Sequence, residues 1–566
     1  MDAELIKLSK VAGDSNKYQY VTLVIAILIW ATLNILNVSI PFLEIMPIVS
    51  YTNTNTGDFI ENVELTYDIC DNFKYEINTQ LTVPSWVVQH KIQCARFKTG
   101  LIGGALSLGL LFGGLLQVFL VDFIGRRATM LMTAFLYSIV IFLYNFACCN
   151  NIYFLYILEV LLGICSCNCA LSSLLYLQEV NTAKNMPMFT GIINASYASG
   201  GILSTLLYKY AYDWQLNFNL SFGMGVILSI LITIVIVESP KFYFINGKIM
   251  ELLDSYKQIA KFNDLTPAFE YWVTSNFHKL ERIFYYEEVI NNEVTNNELS
   301  ADLTLNVKSF SNNTELDSEE NHDYNDLREK IYKIYGNNNN LIKDSNKNKI
   351  YKKREMHQKF TSILDFVIYE SQRKQFLILC FIWFSQDGIY DGLAVFLKNL
   401  DGNIYNNGCI LYTLDIIAFV LAGFLMNIKC LGRVKAMGLM YLVSLVGYIF
   451  LVFDNDVNKK GTWQTSFALG ARFAISSIFT IVYSYTAEVY PVVLSTKGFC
   501  IHWTFSKMGS IVAFILLEFL GQSILFVMGV CNLVCLVLVM FLPETYGKEK
   551  LEDIPEKLTE ELKTNN

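Results

Sequence analysis

Twelve stretches of this chain are apolar over the length a helix needs to cross a lipid bilayer, and that pattern constrains everything else. A hydrocarbon core about 30 Å thick and a rise of about 1.5 Å per residue together ask for roughly 20 residues per span. The stretches fall near 20–43, 99–121, 128–149, 152–178, 188–211 and 216–237, and again near 375–398, 404–428, 435–453, 463–487, 497–519 and 521–542. Inside lipid, backbone N–H and C=O groups find only each other, so each stretch is expected to be an α-helix. Strands of a membrane barrel are excluded, because they alternate in hydropathy and are about ten residues long. The polar start Met1–Tyr20 runs into a span of full length and is not read as a cleavable signal.

Composition closes off other classes. Hydrophobic side chains make up 53% and charged ones 17%, where a soluble domain carries about 25% charged. A large share of those charges sits between Glu238 and Lys374, leaving the remainder poorer still. A soluble enzyme, a disordered chain and a nucleic-acid binder are excluded. The net charge of −8 also offers phosphate no basic excess. The sequence has no nucleotide loop, nucleophile constellation or metal-ligand cluster, so neither catalysis nor a cofactor is expected. Cys165, Cys167 and Cys169 look like a metal motif on paper. On a helix, residues two apart point about 200° away from each other and do not converge on one ion.

Cations in the short connections set the orientation. Arg126 and Arg127, then Lys429, Arg433 and Lys435, fall on one side with Lys184, Lys497 and the lysines of both tails. The opposite turns Cys149-Asn150-Asn151 and Gly521-Gln522 carry none. Both termini are therefore expected in the cytosol. The expected organisation is a cytosolic tail 1–19, a half 20–237 with exterior loop 44–98, a cytosolic linker 238–374, a second half 375–542 and a cytosolic tail 543–566. Cys70 and Cys94 lie well inside the exterior loop, an oxidising location, and are expected to pair. In the linker, Gly247–Phe262 has the apolar spacing of an amphipathic helix. The stretch 291–349, rich in Asn, Ser, Asp and Glu, reads as a disordered insert.

The two halves repeat one polar signature. Asp122…Gly125-Arg126-Arg127 follows span two, Glu179 ends span four, and Glu238-Ser239-Pro240 follows span six. Gly432-Arg433 follows span eight, Glu488 ends span ten, and Pro543-Glu544-Thr545 follows span twelve. The Arg-to-Glu and Glu-to-Glu intervals are 53 and 59 residues in the first half against 55 and 56 in the second. Such phasing predicts two six-helix halves related by an axis along the membrane normal. It also predicts a cytosolic gate of Asp122, Arg126, Arg127, Glu179, Glu238, Arg433, Glu488 and Glu544. The clusters of the two halves are expected to close against each other, with plain interface anchoring as the alternative.

These residues resemble the major facilitator superfamily. With Trp214, Trp383-Phe384…Tyr390-Asp391-Gly392-Leu393 and Glu488-Val489-Tyr490-Pro491, the chain more narrowly resembles the organic cation, organic anion and carnitine transporters. The resemblance implies an all-α membrane protein with twelve transmembrane helices in two six-helix halves, the major facilitator fold. It implies a monomer in the plasma membrane that moves a small organic ion by alternating access. A proton or counter-ion stays open as coupling partner, and no nucleic acid is involved. Sugar porters share the Glu-Ser-Pro and Pro-Glu-Thr elements, so a sugar or other neutral-solute porter is one alternative. A non-transporting sensor on the same scaffold, favoured by the long insert, is the other. The chain departs from the family at Val118, Phe123, Glu159 and Ser495.

Charges inside a span cost about 2.5–3.5 kcal/mol each, so each needs a partner or a purpose. The spans hold Glu159, Asp387, Asp391, Asp415, Arg472, Lys507 and Glu518. Lys507 lies nine residues beyond Gly498, about 13–14 Å into span eleven and near mid-membrane. A fixed cation there favours an anionic or zwitterionic substrate, with pairing to Glu159 as the alternative. Trp503 lies one turn before it on the same face. The resemblance adds Asn34, Asn37, Tyr390, Phe479 and Tyr483 as substrate-binding candidates. It adds Arg472 as well, which is also placed to pair with Asp415 or Asp387.

Overall fold

A computed structural model describes residues 2–13, 16–52, 59–147, 151–181, 185–211, 213–246, 248–275, 370–398, 404–453, 462–490, 492–520 and 523–547. The insert expected at 291–349, the last part of the C-terminal tail and the Lys184 turn lie outside the described residues, as does the Glu518 side chain.

Helix α1 (Asp2–Gly13) precedes the first long helix, α2 (Lys17–Asn37), and the single turn α3 (Ile40–Leu43). The exterior loop contains β1 (Ile48–Thr52), β2 (Phe59–Glu64), α4 (Tyr67–Asn72), β3 (Tyr75–Ile77) and α5 (Trp86–Gln89). Then come α6 (Arg96–Ile124), α7 (Arg126–Ala147), α8 (Ile152–Val180), α9 (Met186–Ala211) and α10 (Trp214–Val235). Three short helices follow: α11 (Pro240–Ile245), α12 (Ile249–Phe262) and α13 (Thr266–Ser275). The second half comprises α14 (Glu370–Lys398), α15 (Ile404–Leu425), α16 (Val434–Phe453), α17 (Thr462–Val489), α18 (Val492–Leu520) and α19 (Ile524–Val539). Among the described residues, twelve long helices thus occupy the positions of the twelve apolar stretches. Nine spans are long and apolar enough by length and composition to cross a membrane.

Within the first half, α8 packs on α6 and α7, and α2 on α9 and α10. Within the second, α14 packs on α18, and α16 on α17 and α19. The halves meet where α9 lies on α15 and α6 on α18. These are the fifth span on the eighth and the second on the eleventh, contacts that the internal repeat interchanges. Bare backbone makes the approach close. A Cβ at Gly191 would stand 2.8 Å from the Phe419 carbonyl, and one at Gly423 would stand 3.2 Å from the Pro187 carbonyl.

Two regions carry more structure than the sequence predicts. The exterior loop folds as a three-stranded antiparallel sheet of order β2-β1-β3, with Ile48 opposite Glu64 and Val49 opposite Ile77. Val49, Leu65 and Ile69 form its small core, and Cys70–Cys94 closes it. Trp86, fully buried, anchors the loop against Tyr144, Trp214 and Phe218, with ring centroids 5.7–5.9 Å apart. The segment expected as a tail is instead helix α1, which packs on α12 and α13. Asn263 accepts from the Tyr18 N–H at 2.8 Å and donates to the Ala12 carbonyl at 2.9 Å, holding α1, α2 and α12 together.

Candidate functional site

The repeated signature forms one polar cluster in each half, and the two are nearly superimposable in their bonding. Gly125 and Gly432 have φ of +106° and +62°, which turns the chain before α7 and α16. The carboxylate of Glu238 then accepts from the N–H groups of Arg126 and Arg127 at 2.9 and 3.1 Å. Glu544 accepts from those of Arg433 and Val434 at 2.9 and 3.0 Å. Each glutamate is a helix N-cap supplied from another part of the chain, satisfying orphan donors at the positive end of the dipole. Arg126 clasps Glu179 through Nε and Nη2 at 3.1 and 2.9 Å, and Arg433 clasps Glu488 at the same two distances. Ser239 and Thr545 complete the set by donating to Glu179 and Glu488 at 2.6 and 2.7 Å.

Electrostatics around these clusters follows from burial and bonding. Burial alone would raise the Glu544 carboxyl, but backbone N–H donors from Arg433, Tyr546, Val434 and Thr545 hold it below its ordinary range. Burial lowers the Lys241 ammonium, with Glu179 opposing at 3.5 Å.

The expected gate residues bond mainly within their own halves. Arg126 spends its remaining Nη1 on the Val121 carbonyl and Arg433 on that of Met426, so neither guanidinium reaches across to the other half. Arg127 turns to the Thr233 carbonyl instead of a carboxylate. Among the described residues, Lys497 on α18 and Asp122 on α6 form an ion pair of 3.6 Å that joins the halves at this end. Asp122 was expected; Lys497 was noted in the sequence only as a marker of orientation.

Between the halves lies a cavity lined by both of them. Its wall comes from α2, α6, α8 and α9 of one half and from α14, α15, α17 and α18 of the other. Of the sequence candidates, Asn37, Tyr390, Phe479, Tyr483, Trp503 and Lys507 line it. Asn34 does not: it is fully buried and donates to the Tyr197 carbonyl at 2.6 Å. Arg472 does not either. Arg472 and Asp415 are both 0% exposed, and the guanidinium meets Asp415 at 3.0 and 2.7 Å through Nε and Nη2. Its Nη1 bonds to the Tyr390 carbonyl at 2.5 Å, which holds the guanidinium buried behind the cavity wall.

Lys507 points into the cavity wall with its Nζ 2.6 Å from Asp387 Oδ2. Asp391, one turn further along α14, accepts from the Ser510 hydroxyl. The reason is backbone proximity: at Gly509 a Cβ would fall on the Phe384 carbonyl, so α14 and α18 touch there. That contact lets Lys507 and Ser510 reach the facing carboxylates at i and i+4. The Lys507 ammonium also lies 5.0 Å from the Trp503 ring. Tyr483 links the aromatic wall, 5.8 Å from Trp503 and 5.4 Å from Phe479.

Reading the sequence missed Trp30, Tyr197 and Asn194 as wall residues. Nothing in their spacing separates them from packing residues. Asp387 and Asp391 were visible as intramembrane charges, and their i, i+4 spacing was the signal that they share a face. Cys167 lines the cavity, while the Cys169 thiol donates to the Met130 carbonyl.

A family model described as "Sugar (and other) transporter" matches residues 59–296. The chain is 29% identical over 199 residues to a solute carrier family 22 member 15-like protein of Xenopus tropicalis, a match covering 34% of this chain and 41% of that protein. It is 33% identical over 205 residues to solute carrier family 22 member 3 of Rattus norvegicus, covering 35% and 36%. It is 27% identical over 180 residues to organic cation/carnitine transporter 2 of the same species, covering 31% and 32%. These matches thus span less than half of each relative's length. A solved structure of the major facilitator superfamily proton:xylose symporter XylE bound to 6-bromo-6-deoxy-D-glucose superposes with a TM-score of 0.60 at 13% identity, covering 94% of this chain and 98% of the symporter. The chain therefore has the major facilitator fold, and its sequence resembles the organic cation and carnitine transporters among the proteins of that superfamily.

Proposed function

We propose that this integral membrane protein carries small organic ions across its membrane by alternating access, and that the preferred ion bears a positive group. The observation that carries the second half is the charge balance of the cavity: Asp387 and Asp391 face a single ammonium, Lys507. The sequence favours an anionic or zwitterionic substrate because Lys507 stands there as an isolated cation. With Asp387 at 2.6 Å that cation is matched, and the excess charge falls on Asp391. Aromatic faces add about 0.5–2 kcal/mol each for a cation. A zwitterion fits the same wall, its anionic group taking Lys507 and its cationic group Asp391.

Rocking of the halves is the motion this reading needs. Lys497–Asp122 bridges them at one end. At the other, Phe42 of α3 stacks on Tyr405 of α15 at 5.4 Å. Opening either end while keeping the other closed exposes the cavity to one side at a time. The clusters around Arg126 and Arg433 then serve as rigid joints within each half. On this reading the termini are assigned to the cytosol from the cation bias of the loops, and the protein to the plasma membrane as a monomer from its resemblance to the organic ion transporters.

The test is uptake by the purified full chain in liposomes of tetraethylammonium, carnitine, benzoate and glucose. The parent is expected to take up tetraethylammonium or carnitine in preference to benzoate, and Asp391→Asn to lose tetraethylammonium uptake. Preferential movement of glucose would establish the neutral-solute reading. Movement of none of the four by correctly folded protein would favour the sensor.

A further inference from the structure

Glu159 of α8 is 1% exposed, yet among the described residues it forms no ion pair with any lysine, arginine or histidine. Its Oε2 has no hydrogen-bond partner there. The groups facing it are acids and neutral donors. Tyr144 of α7 lies beside the carboxyl, and Glu44, just past α3, is a second carboxyl near enough to act on it. Tyr137 of α7 and Tyr208 of α9 feel its charge. From α6, Leu106 and Gly109 approach the α8 backbone at Val160 and Gly163, and the Lys98 ammonium lies over the Tyr153 ring at 5.8 Å, six residues before Glu159. Beside the phenols, Asn217 and Ser221 of α10 have buried polar atoms without a hydrogen-bond partner. An ionised carboxylate enclosed this way, with no ion pair and with a second carboxylate beside it, is strongly disfavoured, and it sheds that cost by taking up a proton.

Position gives the proton a use. Glu159 lies seven residues, about 10 Å, from Ser166, which lines the cavity on the same helix. Glu44 stands near the loop end of the bundle, half-buried, with its Oε1 accepting from the Gly103 N–H at 3.0 Å. A proton entering from that end meets Glu44 first and Glu159 next. Releasing it leaves a charge in the core of the first half that no cation offsets, which biases how that half sits against the other.

We propose that Glu159 is a proton-binding site, separate from the substrate cavity, whose protonation is coupled to the carrier cycle. This rests on the transport reading for its coupling but not for the site. Binding is simple protonation: the carboxylate takes one proton onto an oxygen and no other bond changes.

Two measurements on the full chain in liposomes test it. The first is infrared difference spectroscopy across a pH titration without substrate. The parent should show a buried carboxylic-acid C=O band that vanishes on alkalinisation and is missing from Glu159→Gln. Absence of the band from the parent, or its persistence in Glu159→Gln, overturns the site. The second is interior pH, read by a trapped dye while a tetraethylammonium gradient is imposed. Proton flux in the parent should fall about tenfold or more in Glu159→Gln, the factor by which one pH unit biases a coupled step, while tetraethylammonium exchange persists. Equal proton flux in both overturns the coupling. Tetraethylammonium and carnitine both immobile in the parent with the infrared band present overturns the transport reading and leaves the proton site supported.

Discussion

Lys507 of α18 and Asp387 of α14 form an ion pair of 2.6 Å in the wall of the central cavity, with side chains 15% and 2% exposed. A pair this enclosed is held together because each member is costly alone. Replacing Lys507 with alanine should therefore destabilise the protein by about 3–5 kcal/mol, and adding Asp387→Asn should recover most of it. Thermal unfolding of the single and double variants in detergent is the measurement. Additive losses would mean the two side chains do not depend on each other.

Arg472 is expected to behave as a structural residue. Arg472→Ala strands Asp415 in a dry interior and should lower the yield of folded protein by the same mechanism, again about 3–5 kcal/mol. Any protein that folds should keep its KM for substrate, because the guanidinium lies behind the cavity wall. A raised KM at unchanged melting temperature would contradict this placement.

At Gly125 a side chain meets two obstacles. The backbone is at φ +106°, and a Cβ would stand 2.6 Å from Glu238 Oε2. Gly125→Ala should cost about 1–3 kcal/mol, as should Gly432→Ala, where Glu544 occupies the same space. Gly223, whose Cβ would meet nothing, serves as the neutral control in the same melting series.

Acid should weaken the cap on α16 before it weakens the bundle. The Glu544 carboxyl is held below its ordinary range in the folded protein, so its contribution is complete above the unfolded carboxyl's pKa, about 4.3. It disappears as pH falls through the lower folded value. Hydrogen exchange at the start of α16 should rise over that window in the parent and be raised at every pH in Glu544→Gln.

The Cys70–Cys94 bridge closes a segment of 24 residues around a very small core. Replacing both cysteines with serine should cost the exterior sheet about 3 kcal/mol, while Trp86 keeps the loop attached to α7 and α10. Proteolysis confined to 48–98 with unchanged helix content would show this.

The sequence alone determined the number, length and type of the main elements, because lipid leaves a backbone no alternative to the helix. It also determined the duplicated polar clusters. Arg126, Glu179 and Glu238 recur in phase as Arg433, Glu488 and Glu544, and phase survives folding. What tertiary structure decided was which partner each charge chose. Lys507 has an acid on α14 rather than Glu159, and Arg472 is paired with Asp415. Lys497 rather than an arginine spans the two halves. Those choices depend on where helices 100 residues apart come into contact, as at Gly509 against Phe384, and no periodicity along one helix encodes the rotation of another. The exterior sheet was hidden for a related reason: its strands are short, mostly exposed and held by a disulfide and one buried tryptophan, so little of its stability is written as an apolar pattern.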